Sequence, residues 1–419
     1  MIIRSKESGN KGSILFIGLI TYFFSDLILQ LFGLPQGATF RLAGIKIIPP
    51  YIISALIFIN LFANFQKLTH FQYKLLRRYV LYVYLFLLFG LWGALMNGND
   101  AYWIVQDTMS ILGFLTGVCI AASSQRYDNE KAILFIFYGL CLLLITYYAI
   151  NLNAYATYIS KTGLLRLVSP FVFYVQAPIT LLVPLAMQIS SSSKKSFHYI
   201  LVRVMILLVL VIIMFGNVTK SSAVVLIFGY LFVIFGTQSN KRIKHLIQGT
   251  AFYSIVIFGL IFSLMKLNLP FQRMIESFSY RFLTDVDGNS SISARIVEIS
   301  EMFNSFTMQS IFIGNGLGST FTTFTYTDMP VINNSPHIGI FTPFLKIGAL
   351  GFILISIVPI FFVIYKLFSI PNNNRNRIIG FASSILTFYF MSMLSGGWAY
   401  LVLLILGYCF YMLSLSLKD

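Results

Sequence analysis

Four arginines and one histidine are the residues of this chain best suited to chemistry on a charged substrate. They are Arg166, Arg273, Arg281, Arg295 and His337. A planar guanidinium group matches the oxygen atoms of phosphate, and imidazole exchanges a proton near neutral pH. Arginines that hold a diphosphate as it leaves, beside a histidine that removes a proton, would form a group-transfer site.

The sequence around these residues indicates a helical membrane protein. It has 419 residues, of which 58% are hydrophobic and 10% charged, and its apolar runs have about the twenty residues that cross a hydrocarbon core. A transmembrane β-barrel needs alternating segments of about ten residues, whereas Val204–Phe215 and Leu350–Phe362 are apolar on every side. We therefore predict an all-α polytopic protein with one transmembrane domain, residues 1–419, of about twelve helices. The predicted spans lie near residues 13–32, 44–64, 78–96, 103–122, 132–152, 169–190, 200–216, 221–237, 246–265, 338–365, 377–394 and 396–416.

The net charge of +16 predicts orientation and gives no reason to expect a nucleic-acid partner. Most of the 29 basic residues fall in alternate connectors between spans, which the positive-inside rule assigns to the cytoplasm. Both termini are then cytoplasmic, and a large loop, residues 267–337, lies outside between the ninth and tenth spans. This loop is mildly acidic overall, so its arginines are specific candidates for binding an anion. The three cysteines fall within apolar spans and are expected as free thiols.

Arg166 precedes a span with three prolines, Pro170, Pro178 and Pro184. Such a span is expected to bend, and irregular backbone in a membrane is tolerated where it borders protein or a water-filled cavity. We expect Arg166 at the outer mouth of that cavity, with contact to lipid headgroups as the alternative. Two aspartates, Asp26 and Asp107, also lie in or near spans. Each faces either a polar interior or the interface at a helix end.

The outer loop contains one pattern typical of an amphipathic helix. Its apolar residues recur every three or four positions, at Ile292, Ile296, Ile299, Phe303 and Phe306. The helix is expected along the outer membrane surface with its polar face toward a cavity. Arg295 in its first turn would point at a ligand, and the alternative is a local ion pair with Glu298.

Three glycines follow this helix, at Gly314, Gly316 and Gly318. A dinucleotide-binding loop requires a preceding strand and a βαβ unit, which this helical context excludes. A turn and a backbone anion nest both remain open for the glycines.

His337 is the one histidine on the outer side, where the loop re-enters the membrane. It could exchange a proton with a substrate or cap the next span. No second histidine, cysteine or carboxylate is spaced for a metal site, so neither a metal nor another cofactor is expected.

Several segments together resemble the O-antigen polymerase (Wzy) and O-antigen ligase families. They are Ser293–Glu298, Ile311–Gly318, His337 with Phe344–Gly351, and Leu165-Arg166 leading into Ser169–Pro178. The chain departs from the family pattern at Ile338, Lys346 and Lys220-Ser221-Ser222, where those families often have asparagine, an acidic residue and Ser-Arg, respectively.

The resemblance implies a GT-C-like glycosyltransferase in the bacterial inner membrane, which uses undecaprenyl-diphosphate-linked oligosaccharide on the outer face without a metal. Arg166 and Arg295 would hold the diphosphate, and His337 would act on the acceptor hydroxyl. Arg273 and Arg281 match no family motif and are further candidates for the diphosphate. Membrane lipid and a chain-length regulator protein are the other partners that the resemblance suggests.

Three functions remain open at this point. A polymerase in surface-polysaccharide and lipopolysaccharide biosynthesis joins one lipid-linked repeat to another, and a ligase transfers the glycan to lipid A–core. The departures from the pattern favour the polymerase. A lipid-linked oligosaccharide flippase is the alternative of another class; transporters of that kind show internal repeats, and the two halves of this sequence do not resemble one another.

Overall fold

The computed structural model describes residues 40–42, 45–47, 49–63, 65–123, 126–150, 170–192, 196–213, 220–236, 292–323, 330–369, 372–394 and 398–416. Within these ranges the chain is mainly helical, which confirms the all-α prediction at that level. The helices are α1 Pro49–Ala63, α2 His70–Asn97, α3 Ala101–Ser123, α4 Arg126–Ile150, α5 Pro170–Ser192, α6 Ser196–Val211, α7 Lys220–Gly236, α8 Ile292–Asn304, α9 Met308–Ile313, α10 Thr342–Phe352, α11 Val358–Ser369, α12 Asn372–Leu394 and α13 Tyr400–Ser416.

Four helical segments in the described part of the chain are long and apolar enough to cross a membrane. They are His70–Asn97, Ala101–Ser123, Glu130–Tyr147 and Gly339–Leu367. The first, α2, has 28 residues and is therefore about 42 Å long at 1.5 Å per residue. These helices support a membrane protein; the count of twelve spans and the GT-C-like fold stay predictions.

Both ends of α2 are fixed by local chemistry. Thr69 and Gln72 form a reciprocal capping box at its start, which satisfies backbone N–H groups that have no partner in the first turn. Gly98 ends it with φ 62°, a left-handed conformation that glycine adopts without a steric penalty. The turn then leads directly into α3, so α2 and α3 run side by side in opposite directions.

Helix α3 packs closely against α13 through small residues. A Cβ atom at Gly117 would lie 1.9 Å from the Leu404 carbonyl oxygen, and one at Gly407 would lie 2.0 Å from the Phe114 carbonyl oxygen. In a membrane, small residues let helix backbones approach until dispersion contacts hold them together. Helix α12 continues this core by packing against α5, α7 and α13.

Two short antiparallel hairpins, which the sequence analysis did not predict, accompany the helices. Strand β1 (Phe40–Leu42) pairs with β2 (Ile45–Ile47), and β3 (Phe321–Thr323) pairs with β4 (Val331–Asn333). The β3–β4 pair has Phe321 opposite Asn333 and contacts α8. It therefore brings the chain after β4 back toward α8.

Helix α10 is broken near its middle. Ile347 and Gly348 have non-helical backbone angles, and Gly348 has φ 64°. In a regular helix the carbonyls of Leu345 and Lys346 would accept bonds from the residues four positions later. Here they accept from the backbone N–H groups of Asn315 and Gly316, at 2.9 and 3.0 Å respectively.

The Gly314–Gly318 segment, called the glycine loop below, thereby docks into the broken helix. It also reaches α2, since the Leu317 N–H donates to the Gly90 carbonyl at 2.8 Å, and the Leu317 side chain is fully buried. The side-chain amide of Asn99 donates to the carbonyls of Asn315 and Leu317 at 2.8 Å each. The loop therefore lies at the end of α2 opposite His70.

Gly316→Ala is expected to lower stability by about 2–4 kcal/mol. Gly316 has φ 85°, and its Cβ atom would lie 2.0 Å from the Ala94 nitrogen. The check is the thermal unfolding midpoint of the purified protein in detergent. Gly139→Ala in α4 is the matched control, because nothing lies within 4 Å of its Cβ position; equal midpoints for the two variants would contradict the tight docking of the loop.

Candidate functional site

Helix α8 forms as the apolar spacing predicted and turns one acidic side chain inward. Glu298 and Met302 are fully buried, whereas Ile296 and Phe303 are 60% and 38% exposed. The apolar stripe therefore stays on the outside of the protein, and the buried face carries a carboxylate. This arrangement suits a helix with lipid on one side and a polar site on the other.

The buried Glu298 carboxylate holds His337. The Nδ1 atom of His337 lies 2.9 Å from Oε1 and 3.0 Å from Oε2, and the His337 backbone N–H donates to Oε2 at 3.1 Å. Asn333 adds a bond from Nδ2 to Oε1 at 3.3 Å. An ionised carboxylate only accepts hydrogen bonds, so these contacts make Nδ1 the protonated nitrogen and leave the lone pair of the neutral ring on Nε2.

The pair is buried on one side and open on the other. The Glu298 side chain is 0% exposed and that of His337 is 50% exposed. A carboxylate that orients one nitrogen of an imidazole and stabilises its protonated form prepares the other nitrogen to act as a general base. His337 can therefore take a proton from a group that approaches its exposed side.

Arg295 lies one turn before Glu298 on α8, so the two share a helix face. Its guanidinium group donates to the carbonyl of Leu394, the last residue of α12. Carbonyls at a helix C-terminus have no partner within the helix, and Arg295 satisfies this one while tying α8 to α12. Guanidinium has five N–H donors, so this contact leaves donors for an anion at the same end of α8.

The other predicted diphosphate ligands, Arg166, Arg273 and Arg281, lie outside the described residues. Their convergence with Arg295 and His337 stays a prediction.

Asp107 and Lys346 form an ion pair inside the protein, with 2.7 Å between Oδ2 and Nζ and side-chain exposures of 14% and 3%. Asp107 also accepts from the Gly318 N–H at 2.6 Å, and Lys346 donates to the Ser319 carbonyl at 2.9 Å. Asp107 therefore faces a polar interior and not the membrane interface at a helix end. Lys346 was not predicted as its partner from the sequence, although opposite charges within two apolar spans are a usable signal.

The glycine loop is a turn and does not form an anion nest. Its N–H groups bond within the protein, to backbone carbonyls and to Asp107. These bonds occupy the donors that a phosphate would need.

A cavity of about 90 Å³ lies between α3, α10 and the chain that follows β4. Asp107 and Lys346 line it together with Phe86, Leu317 and Trp398. Its wall also includes Asn334 and Ser335, three and two positions before His337, respectively. Among the described residues, no group of three or more His, Cys, Asp or Glu side chains is placed to hold a metal ion.

Asp107→Asn and Lys346→Met are each expected to lower the free energy of unfolding by about 3–5 kcal/mol, because each leaves a buried charge without its partner. The double variant should lose less stability than the two single variants lose together. Thermal unfolding midpoints of the three variants check this. Lys366→Met is the control, since that ammonium lies over the Tyr365 ring and forms no ion pair with another described residue; additive losses at Asp107 and Lys346 would argue against coupling.

The sequence matches no protein-family model, and it matches no curated protein and no solved structure. The geometry of the described residues therefore carries the functional proposal.

Proposed function

We propose that this chain is a membrane glycosyltransferase that joins undecaprenyl-diphosphate-linked repeat units into a surface polysaccharide, as an O-antigen polymerase does. The transfer would take place on the outer face of the inner membrane and would need no metal. The observation that carries the proposal is the pair formed by buried Glu298 and half-exposed His337, next to a helix that also presents Arg295.

The reaction requires one proton transfer and one departing anion. The hydroxyl oxygen of the acceptor sugar attacks the anomeric carbon of the donor glycan, and the bond from that carbon to the diphosphate oxygen breaks. The electron pair leaves with undecaprenyl diphosphate, and the hydroxyl proton moves to Nε2 of His337. Glu298 holds the ring and stabilises the imidazolium that forms, which makes it a positioning residue. A single displacement of this kind inverts the anomeric configuration.

Arginine supplies the positive charge for the leaving diphosphate in this proposal. Fixed cations aimed at developing negative charge stabilise a transition state more than the ground state. Arg295 is held at the start of α8 by its bond to Leu394, so part of its orientation is set before substrate binds. Arg166, Arg273 and Arg281 are proposed to complete the diphosphate site.

The membrane arrangement is compatible with a lipid-linked substrate. Helix α2 exposes large apolar side chains near the end where the glycine loop docks, among them Trp92 at 63%, Leu95 at 79% and Met96 at 69%. In a bilayer these face lipid, next to the part of the protein that carries α10 and His337. A polyprenyl tail in the bilayer would then lie beside the site that acts on its headgroup.

His337→Ala is expected to lower transfer by about 10²- to 10⁴-fold, the usual contribution of a general base. The assay is complementation of a strain whose own copy is deleted, with the length distribution of its surface polysaccharide as the readout. Wild type should restore a ladder, and the variant should leave single repeats. Glu298→Gln, which keeps the side-chain size and removes the charge, should be impaired in the same direction.

His70→Ala is the matched control, because His70 is exposed at the opposite end of α2. A full ladder from His337→Ala would overturn the proposed role of His337. Full-length polymer that stays on its lipid carrier in the deletion strain would indicate a ligase, and repeats trapped inside the cell would indicate a flippase.

The orientation of the chain in the membrane can be measured by cysteine labelling. Ile332 on β4 is 61% exposed, and we expect a cysteine there to react with a membrane-impermeant maleimide in right-side-out spheroplasts. A cysteine at exposed Gln66 should react only after the membrane is opened. The native cysteines are buried, so their background should be low. The reverse labelling pattern would place His337 on the cytoplasmic side and rule out transfer on the outer face.

A further inference from the structure

The cavity beside the Asp107–Lys346 pair contains two polar groups that lack a partner. Oε1 of Gln106 and Nε1 of Trp398 are buried, and neither has a hydrogen bond among the described residues. Both residues line the cavity. Native proteins rarely leave such groups unsatisfied, because each costs about 1–3 kcal/mol. An occupant of the cavity that reaches Gln106 and Trp398 would satisfy one acceptor and one donor.

The charge of the cavity favours a neutral occupant. The Lys346 ammonium is bonded to the Asp107 carboxylate and to the Ser319 carbonyl, so its charge is already balanced. A phosphate would meet the Asp107 carboxylate as well as the lysine. A hydroxyl or amide group can instead donate to Gln106 and accept from Trp398.

The cavity is large enough for one substituent of a ring and too small for the ring itself. A volume of about 90 Å³ corresponds to about three water molecules at the share each has in the liquid. A hydroxymethyl or acetamido group fits that space, and the ring that bears it would stay outside. Asn334 and Ser335 line the cavity and are only partly buried, so the cavity reaches the surface on their side.

The cavity and the His337 site share one short segment of chain. Asn333 and His337 both donate to the Glu298 carboxylate, and two of the three residues between them, Asn334 and Ser335, line the cavity. The Ser335 hydroxyl lies 2.9 Å from that of Thr342 at the start of α10, which fixes the segment at its other side. The cavity and His337 are therefore neighbours along one fixed segment of chain.

We propose that this cavity is a subsite for a hydroxyl-bearing or acetamido substituent of a sugar, and that it places the acceptor sugar beside His337. The role of the bound sugar as the acceptor rests on the proposed function. The binding of a sugar to the cavity can be measured without any transfer.

The test is saturation-transfer NMR on the full chain in lipid nanodiscs, with methyl β-glucoside and methyl N-acetyl-β-glucosaminide as separate probes. At least one probe should bind, and the stronger one identifies the substituent as hydroxyl or acetamido. Trp398→Phe removes the donor and keeps an aromatic ring, and Gln106→Leu removes the acceptor at similar size. Each should weaken binding about 2- to 10-fold, the value of one hydrogen bond.

Trp103→Phe is the matched control, because Trp103 packs against Tyr102 and is not among the residues that line the cavity; it should bind as wild type does. The subsite is overturned if neither probe binds wild type, or if Trp398→Phe and Gln106→Leu both bind as the control does. Sugar binding that depends on Trp398 and Gln106, together with a full-length ladder in the deletion strain itself, would leave the subsite intact and remove the proposed function. Sugar binding that does not depend on Trp398 and Gln106, together with a ladder that requires this protein, would remove the subsite alone.

Discussion

The structure depends on one constraint: backbone polar groups in apolar surroundings must find partners within the protein. The break in α10 at Ile347 and Gly348 frees carbonyls that water cannot reach, and the glycine loop supplies the N–H groups that satisfy them. Glycine is required because the loop backbone approaches α2 and α10 too closely for a Cβ atom. Satisfying these bonds fixes the loop, the start of α10 and the chain that leads into it.

The same constraint applies to charge, and the protein meets it in two ways. Asp107 and Lys346 are both largely enclosed and bond to each other and to the glycine loop, so this pair joins α3, the loop and α10. Glu298 is enclosed as well, but its partner His337 is half exposed. An ion pair with both side chains buried holds helices together, whereas a pair with one exposed side chain can exchange a proton with a substrate. The two pairs therefore have different roles although their chemistry is similar.

The β3–β4 hairpin connects these two parts of the protein. It returns the chain to α8, so that Asn333 and His337 reach Glu298 while Asn334 and Ser335 face the cavity beside Asp107. A proton acceptor and a neutral polar pocket thus adjoin one segment of chain, and Arg295 lies on the helix that carries Glu298. The proposed glycosyl transfer would use these three elements: a group that takes the proton, a positive charge for the leaving diphosphate, and a place that orients a sugar.

The sequence by itself determined the helical, membrane-embedded character of the chain, since the length of apolar runs and the spacing of apolar residues act locally. That spacing also predicted α8 with Arg295 in its first turn, and His337 was singled out as the one histidine predicted on the outer side. Only the tertiary structure decided that the hydrogen bonds of Glu298 go to His337, that the glycine loop binds a broken helix, and that Lys346 is the partner of Asp107. These contacts join residues far apart in the chain, and no local periodicity encodes them: they follow from which buried groups the packed helices bring within hydrogen-bonding distance.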